Sequence, residues 1–279
     1  MPRSPVLLVI RDGWGANHNA EHDAFNAVKL AATPCSDALS VNWPRTEITA
    51  CGLDVGLPSE VMGNSEVGHQ NIGAGRIVDQ EIVRIDKAFE QGEVDHFPSV
   101  EAAFARAKSG GKLHLIGLLS DAGVHSMLRH LIHLLELAAE AGIRSVFVHA
   151  FMDGRDTPPT SGLAYIEELE QAMKRLGAGR IASVCGRFWS MDRDHRWDRI
   201  EQAYNALTAR SVQRTAPNAT AAVQSYYDAP LDDSRRGDEF VLPTVVVNEA
   251  GAPIGPIESG DGVIFFNFRG DRPRELTHA

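Results

Sequence analysis

The sequence predicts an α/β fold built on a mainly parallel sheet. Three strand-like apolar runs, LHLIGLL (113–119), SVFVHAF (145–151) and RIASVCG (180–186), recur at regular spacing. The segments between and after them carry apolar residues at helical spacing. The resulting β-α-β-α-β-α order requires crossover helices lying on the faces of parallel strands. With 279 residues, the chain is long enough for about two domains. Its 43% hydrophobic content is enough for a sizeable core.

The elements follow in chain order. Pro5 to Ile10 reads as a buried strand, closed by the turn residues Asp12-Gly13 and Trp14-Gly15. Ala24–Ala32 and Cys35–Val41 read as two short helices around Pro34, and Thr46–Cys51 as a second strand. Residues 52–76 are rich in glycine and proline, with a helical turn after Asn64. The texture changes near residue 80, so two domains are expected to meet within 76–82. The first is short of elements for a core of its own.

In the second domain, a helix from Ser126 to about Glu140 presents Leu128, Leu131, Ile132, Leu135 and Ala138 on one face. That pattern leaves His130 and His133 on the solvent side. A second helix carries Tyr165, Ile166, Leu169, Ala172, Met173 and Leu176, and a third runs near Asp198–Thr208. Residues 211–240 show no clear pattern. VLPTVVVN (241–248) and DGVIFFNF (261–268) read as further strands. Asp271 is placed to cap a last helix, with Pro273 in its first turn. That helix meets Ala279 about two turns later, which suggests a truncated chain.

Charge and cysteine content exclude several classes. A formal charge of −10 argues against a broad basic nucleic-acid surface, while leaving room for a local cationic pocket. Cys35, Cys51 and Cys185 form no CxxC or zinc spacing and fit a reducing compartment. The apolar opening is interrupted by Arg11 and Asp12. It is too short for a membrane span and lacks a cleavage signal, so a cytoplasmic protein with no membrane partner is expected.

Candidate chemistry gathers after the strands. Asp12, past a strand end, reads equally as a hard-metal ligand or a turn residue. Ser65 opens a helical turn in GLPSEVMGNSEVGHQNIGAGR (56–76). There, unpaired backbone N–H groups favour a phosphoryl group, but an N-cap serine in a glycine-rich turn looks the same. Neither a GxSxG elbow nor a GxxxxGK[ST] loop occurs. His125 lies at a helix entrance in SDAGVHS (120–126), suited to ligand contact or to packing in the first turn.

HAFMDGRDTPP (149–159) places Arg155 beside Asp156, as an anion fork next to an acid or base, or as a surface ion-paired turn. GRFWSMDRDHRWDR (186–199) and FFNFRGDR (265–272) add Arg187, Arg193, Arg269 and Arg272. Each arginine alone is ordinary. All five follow strand ends, and in a parallel sheet those ends share one edge. Such an edge would make a pocket for a small polyanion, such as a carboxylate bearing a phosphate.

DGWG (12–15), MGNSEVGHQNIGAGR (62–76), SDAGVHS, HAFMDGRDTPP, GRFWSMDRD and FFNFRGDR occur in an order that resembles cofactor-independent (2,3-bisphosphoglycerate-independent) phosphoglycerate mutase. The resemblance spans nearly the whole chain. It implies residues 1–78 as the incomplete opening of an alkaline-phosphatase-like metal domain. Residues 79–279 would then be an inserted α/β substrate-binding domain whose last residues begin the return. It implies 3-phosphoglycerate and 2-phosphoglycerate as the small-molecule substrate pair, interconverted through a phosphoserine.

By this resemblance Ser65 is the nucleophile and Asp156 handles protons. His125, Arg155, Asp156, Arg187, Arg193, Arg269 and Arg272 contact substrate, and Asp12 and Ser65 ligate metal. It implies two divalent ions in the complete enzyme, usually manganese, with no bisphosphoglycerate cofactor, and a complete enzyme that is monomeric. A related metal-dependent phosphatase and a non-catalytic phosphoglycerate-binding fragment are the alternatives. Arg11, Ala122 and Met127 depart from the family pattern, where an apolar residue, a glycine and a histidine are usual.

Overall fold

The structure is a computed structural model that describes residues 5–11, 13–59 and 61–279. The chain divides into two compact units, Met1–Gln80 and Glu81–Ala279.

In the first unit the helices are α1 (Ala27–Leu30), α2 (Pro34–Asn42) and α3 (Ser65–Ala74). Pro34 begins α2 at a position where its missing N–H is no loss. The two strands expected here do not form. Residues 5–10 are irregular and exposed, and residues 46–50 have no ladder. Cys51 makes only an isolated antiparallel bridge to Met62. A strand needs a neighbour for its backbone groups, and an apolar run by itself does not supply one. Among the described residues of this unit, Leu57 and Val67 are its buried large apolar side chains.

The second unit contains α4 (Glu81–Glu90), α5 (Pro98–Lys108), α6 (Leu128–Glu140), α7 (Gly162–Leu176), α8 (Arg187–Ser190), α9 (Trp197–Thr208), α10 (Ala219–Asp228) and α11 (Arg274–His278). Its strands are β1 (Leu113–Leu119), β2 (Val146–Met152), β3 (Arg180–Gly186), β4 (Thr215–Ala216), β5 (Thr244–Val246) and β6 (Gly262–Phe265), ordered β4-β5-β3-β2-β1-β6. All pairings are parallel except β3 with β5.

Both faces of the sheet are covered, which is why its central strands read as unbroken apolar runs. Period-two alternation still divides them. Leu113, Leu115 and Leu119 of β1, with Val146, Val148, Ala150 and Met152 of β2, pack against α5, α6, α7 and α10. Ile116, Leu118, Phe151 and Cys185 face α8, α9 and α11 instead. The unassigned stretch 211–240 resolves into β4, α10 and a 3-10 turn at Asp238–Phe240.

His130 corrects the solvent-facing expectation. It is buried, and its Nε2 lies 2.8 Å from Asp86 of α4, which also takes two bonds from Arg129. Helix α4 covers that side of α6 and turns a polar position into an interface. Met127 is buried with Ile82, Val83 and Phe268. Arg11 is exposed, bonded to Ser36 and lying over the Trp14 ring. Ala122 is also exposed, and its N–H donates to Ser120 Oγ. No described helix is long and apolar enough to cross a membrane.

Candidate active site

Strands β1, β2, β3 and β6 run parallel, so the segments after Leu119, Met152, Gly186 and Phe265 leave the same edge of the sheet. These segments carry His125, Arg155 and Asp156, Arg187 and Arg193, and Arg269 and Arg272. Ser126 Oγ donates to Leu118 O, Leu118 N–H to Asn267 Oδ1, and Phe268 N–H to His125 O. The β1 and β6 loops are thereby fastened together.

Arg187 is the hub. It is only 5% exposed. Its Nη1 donates to Asp153 Oδ1 and to Asp156 Oδ2, each at 2.6 Å, and its Nη2 lies 3.0 Å from His125 Nε2. A guanidinium can only donate, so His125 Nε2 is the acceptor and the ring is neutral with its proton on Nδ1. That Nδ1 is buried and has no hydrogen-bond partner in the structure, a donor free for a ligand. Burial, then Arg187 and Arg269, push the His125 pKa down to about 4, against Asp156 and Asp271. For Arg187, burial opposes the charge, but Asp156 and Asp153 outweigh it and hold the guanidinium above its ordinary range.

The other cations surround this hub. Arg155 Nη1 is 3.4 Å from Glu239. Arg193 Nη1 reaches Asp271 Oδ2 at 3.1 Å, and Arg269 Nε lies 3.1 Å from Asp271 Oδ1. Arg272 donates to Met191 O. Its guanidinium is lowered by burial and by Arg193, Arg187 and Arg155, with Asp271 opposing them. All seven predicted residues of this unit therefore lie on one edge, and the mutual influence of the arginines marks a concentration of positive charge in an acidic chain.

Three contributors lay outside the sequence reading. Asp153 is buried, and its Oδ1 accepts Arg155 N–H and Asp156 N–H as well as Arg187. It shares a motif with Arg155 and Asp156, and its place immediately after a buried strand was the available signal. The Asp238–Glu239 turn came from the unassigned stretch. Buried Asp238 accepts from Tyr227 and from Gly162 N–H, and Asp238 N–H donates to Pro159 O. Asp271 does not cap the last helix; Pro273 stands at that position, and Asp271 bridges Arg193 and Arg269. Two guanidiniums are stronger partners for a carboxylate than exposed backbone N–H groups.

A cavity of about 470 Å³ lies at the other end of β2 and β3, between Arg144, Lys174, Arg180, Asn218 and Ile254. Its cations are exposed, and it lacks the buried hydrogen-bonded charges found around Arg187.

In the first unit, Ser65 is the first residue of α3, capped by Asn64, whose side chain accepts from Val67 N–H. Ser65 Oγ is 3.3 Å from His69 Nδ1, and that same nitrogen is 2.7 Å from Ser65 O. A carbonyl only accepts, so His69 Nδ1 carries a hydrogen and is not the base for Ser65. Asp12 lies outside the described residues. Among those described, no three His, Cys, Asp or Glu side chains converge to hold a metal. Of the two metal ligands that the resemblance implies, Ser65 is the one among the described residues.

A family model described as BPG-independent PGAM N-terminus matches residues 85–279. The chain belongs to that family. It is 52% identical to the 2,3-bisphosphoglycerate-independent phosphoglycerate mutase of Myxococcus xanthus, over 100% of this chain and 53% of the relative. It is 50% identical to the enzyme of the same name from Rhodopirellula baltica, over 99% of this chain and 51% of the relative. A crystal structure of Leishmania mexicana phosphoglycerate mutase at low cobalt concentration matches with a TM-score of 0.74 and 37% identity, covering 90% of this chain and 47% of that one. The chain thus spans about half the length of the curated BPG-independent relatives it matches.

Proposed function

We propose that this chain holds the substrate and bears the nucleophile in the interconversion of 3-phosphoglycerate and 2-phosphoglycerate. In this reading, residues 1–78 open a phosphatase-like domain and residues 79–279 form the inserted substrate-binding domain. The observation that carries it is the buried Arg187, held by Asp153 and Asp156 against a neutral His125 and ringed by four further arginines. A small ligand bearing both carboxylate and phosphate matches that charge and its bidentate geometry.

Arg155, Arg193, Arg269 and Arg272 bind and orient the two anionic groups, and His125 Nδ1–H donates to one of their oxygens. Asp156 is less buried than Asp153 and handles the proton of a glycerate hydroxyl as the phosphoryl group leaves or returns. Ser65 takes and returns the phosphoryl group. Its place at the start of a ten-residue helix favours a phosphate through unpaired N–H groups and the helix dipole. The relatives' names support independence from 2,3-bisphosphoglycerate. The resemblance calls for two divalent ions, manganese in most members, with Asp12 and Ser65 as ligands of one of them. We take the complete enzyme to act as a cytoplasmic monomer on this small-molecule substrate.

Titration calorimetry of the 279-residue chain with 3-phosphoglycerate tests the binding half of this reading. Saturable binding is expected, weakened at least about tenfold by Arg155→Ala and by Arg193→Ala, since each removes a charge-assisted contact. Both side chains are at least half exposed or nearly so, and the variants should fold. Unchanged affinity in both would overturn the pocket assignment.

A further inference from the structure

We propose that Asp271 is a built-in counter-anion of the arginine pocket, occupying in the free protein the two guanidiniums that a ligand anion must recruit. The inference rests on reading the strand-end arginines as an anion site. One carboxylate oxygen accepts a hydrogen bond from Arg193 Nη1 at 3.1 Å, and the other, which accepts no hydrogen bond, stands in an ion pair 3.1 Å from Arg269 Nε. Those two arginines come from the β3 and β6 segments, so Asp271 joins the loops that an anion would join.

Burial disfavours its ionisation, but Arg269, Arg193 and Arg272 outweigh that and keep the carboxyl below the usual range. Asp271 is therefore a full negative charge where the cations focus. Such a group has two consequences. It holds the arginines together when nothing is bound, against their mutual repulsion, and it opposes any second anion that enters. Binding of a ligand dianion is then an exchange of partners, in which Asp271 releases one or both guanidiniums. A weak or singly charged anion gains too little from the exchange. A ligand carrying two anionic groups can engage both arginines at once, so the carboxylate sets a threshold that favours multiply charged ligands.

The sign of the effect separates this role from a structural one. If Asp271 merely positioned the arginines, neutralising it would weaken anion binding. As a competing anion, its neutralisation strengthens it. The measurement is calorimetric titration of the 279-residue chain with inorganic sulfate and, separately, inorganic phosphate at fixed pH and ionic strength. Asp271→Asn and Asp271→Ser are compared with the unaltered protein, and thermal melting is followed with and without the anion.

Both variants are expected to bind sulfate at least about fivefold more tightly, as removal of a like charge at a half-exposed site predicts. Both should melt lower than the parent in anion-free buffer and recover with added sulfate. Asp271→Glu keeps the charge and should show no gain in affinity. Equal or weaker sulfate binding in whichever neutral variant retains the parent's circular dichroism overturns the proposal. A parent chain that binds neither sulfate nor phosphate, with neutral variants that also fail to bind, overturns the anion-site reading and this inference with it. A parent that binds while the variants gain nothing removes this inference alone.

Discussion

At the scale of single residues, the site depends on a buried cation held by two carboxylates. Arg187 directs Nη1 at two carboxylates and Nη2 at a ring nitrogen that accepts. Removing one partner of a buried ion pair leaves the other uncompensated, which costs about 3–5 kcal/mol. Asp156 remains to share the charge, so Asp153→Ala should destabilise the fold by about 3 kcal/mol in urea denaturation. Asp153→Asn keeps an oxygen for the three donors and should cost less. An Asp153→Ala protein as stable as the parent would show that Asp153 is not the anchor of Arg187. The sequence revealed Arg187 by its place after a strand, but not Asp153, because two aspartates stand in one motif and only packing decides which is enclosed. His130 is a similar case: helical periodicity gave its face, and Asp86 on another element decided its burial.

At the scale of elements, the strands carry a second polar chain that runs from the middle of β3 and β2 to the start of β1. His114 Nε2 is 3.0 Å from Asp261, His114 Nδ1 is 3.0 Å from His149 Nε2, and His149 Nδ1 is 2.8 Å from Ser183 Oγ. The donors order themselves: Ser183 O–H to His149, His149 Nε2–H to His114, and His114 Nε2–H to Asp261. With both rings neutral this order satisfies every ring nitrogen, and a further proton on the pair turns the Ser183 hydroxyl from donor into acceptor.

Burial accordingly pushes His149 well below its ordinary pKa, and His114 and His130 downward, as it does His125. With folded values below the unfolded value of about 6.5, the unfolded chain takes protons first as pH falls. Stability should therefore be full above about pH 6.5 and decline below it. Asp86 and Asp261, held lower than usual despite burial, add losses only below about pH 4. Urea denaturation at pH 7.5, 6 and 5 checks this, with His149→Gln expected to be less stable at pH 7.5 and to show a shallower decline. An equal slope in the variant would remove His149 from the linkage.

The strand positions were legible because both sheet faces are apolar, and β1 and β3 fall where the sequence placed them. The 211–240 stretch was not, since α10 is short and its partners lie far away in sequence. The turn after it also imposes constraints that no pattern announces. A Cβ on Gly186 would stand 2.3 Å from Glu239 O, and one on Gly154, at φ +64°, 2.8 Å from Asp238 Cβ.

At the scale of the molecule, the two units differ in how their apolar residues are used. Among the described residues, every core cluster lies between residues 82 and 276. In the first unit, Val6 and Leu7 are 95% and 86% exposed, and Leu8, Val9, Val41, Trp43 and Ile48 are exposed as well. The run Pro5–Ile10 reads as a buried strand because local pattern reports what a segment is suited to, while a ladder also needs a partner that local pattern does not show.

A contiguous exposed apolar stretch of this kind binds hydrophobic dyes and invites proteases, whereas a sheet covered on both faces resists both. Limited proteolysis of the 279-residue chain should therefore cut within residues 5–50 first and leave a resistant core beginning near Glu81. That core should retain the cooperative unfolding and the sulfate binding of the parent, while binding of an apolar dye should fall as the first unit is digested. Protection of residues 5–50 with cleavage inside α6 or α7 would mean that the apolar run is covered in solution, by its own unit or by another chain. Early cleavage at residues 5–50 with loss of sulfate binding would mean that the arginine pocket depends on the first unit for its form.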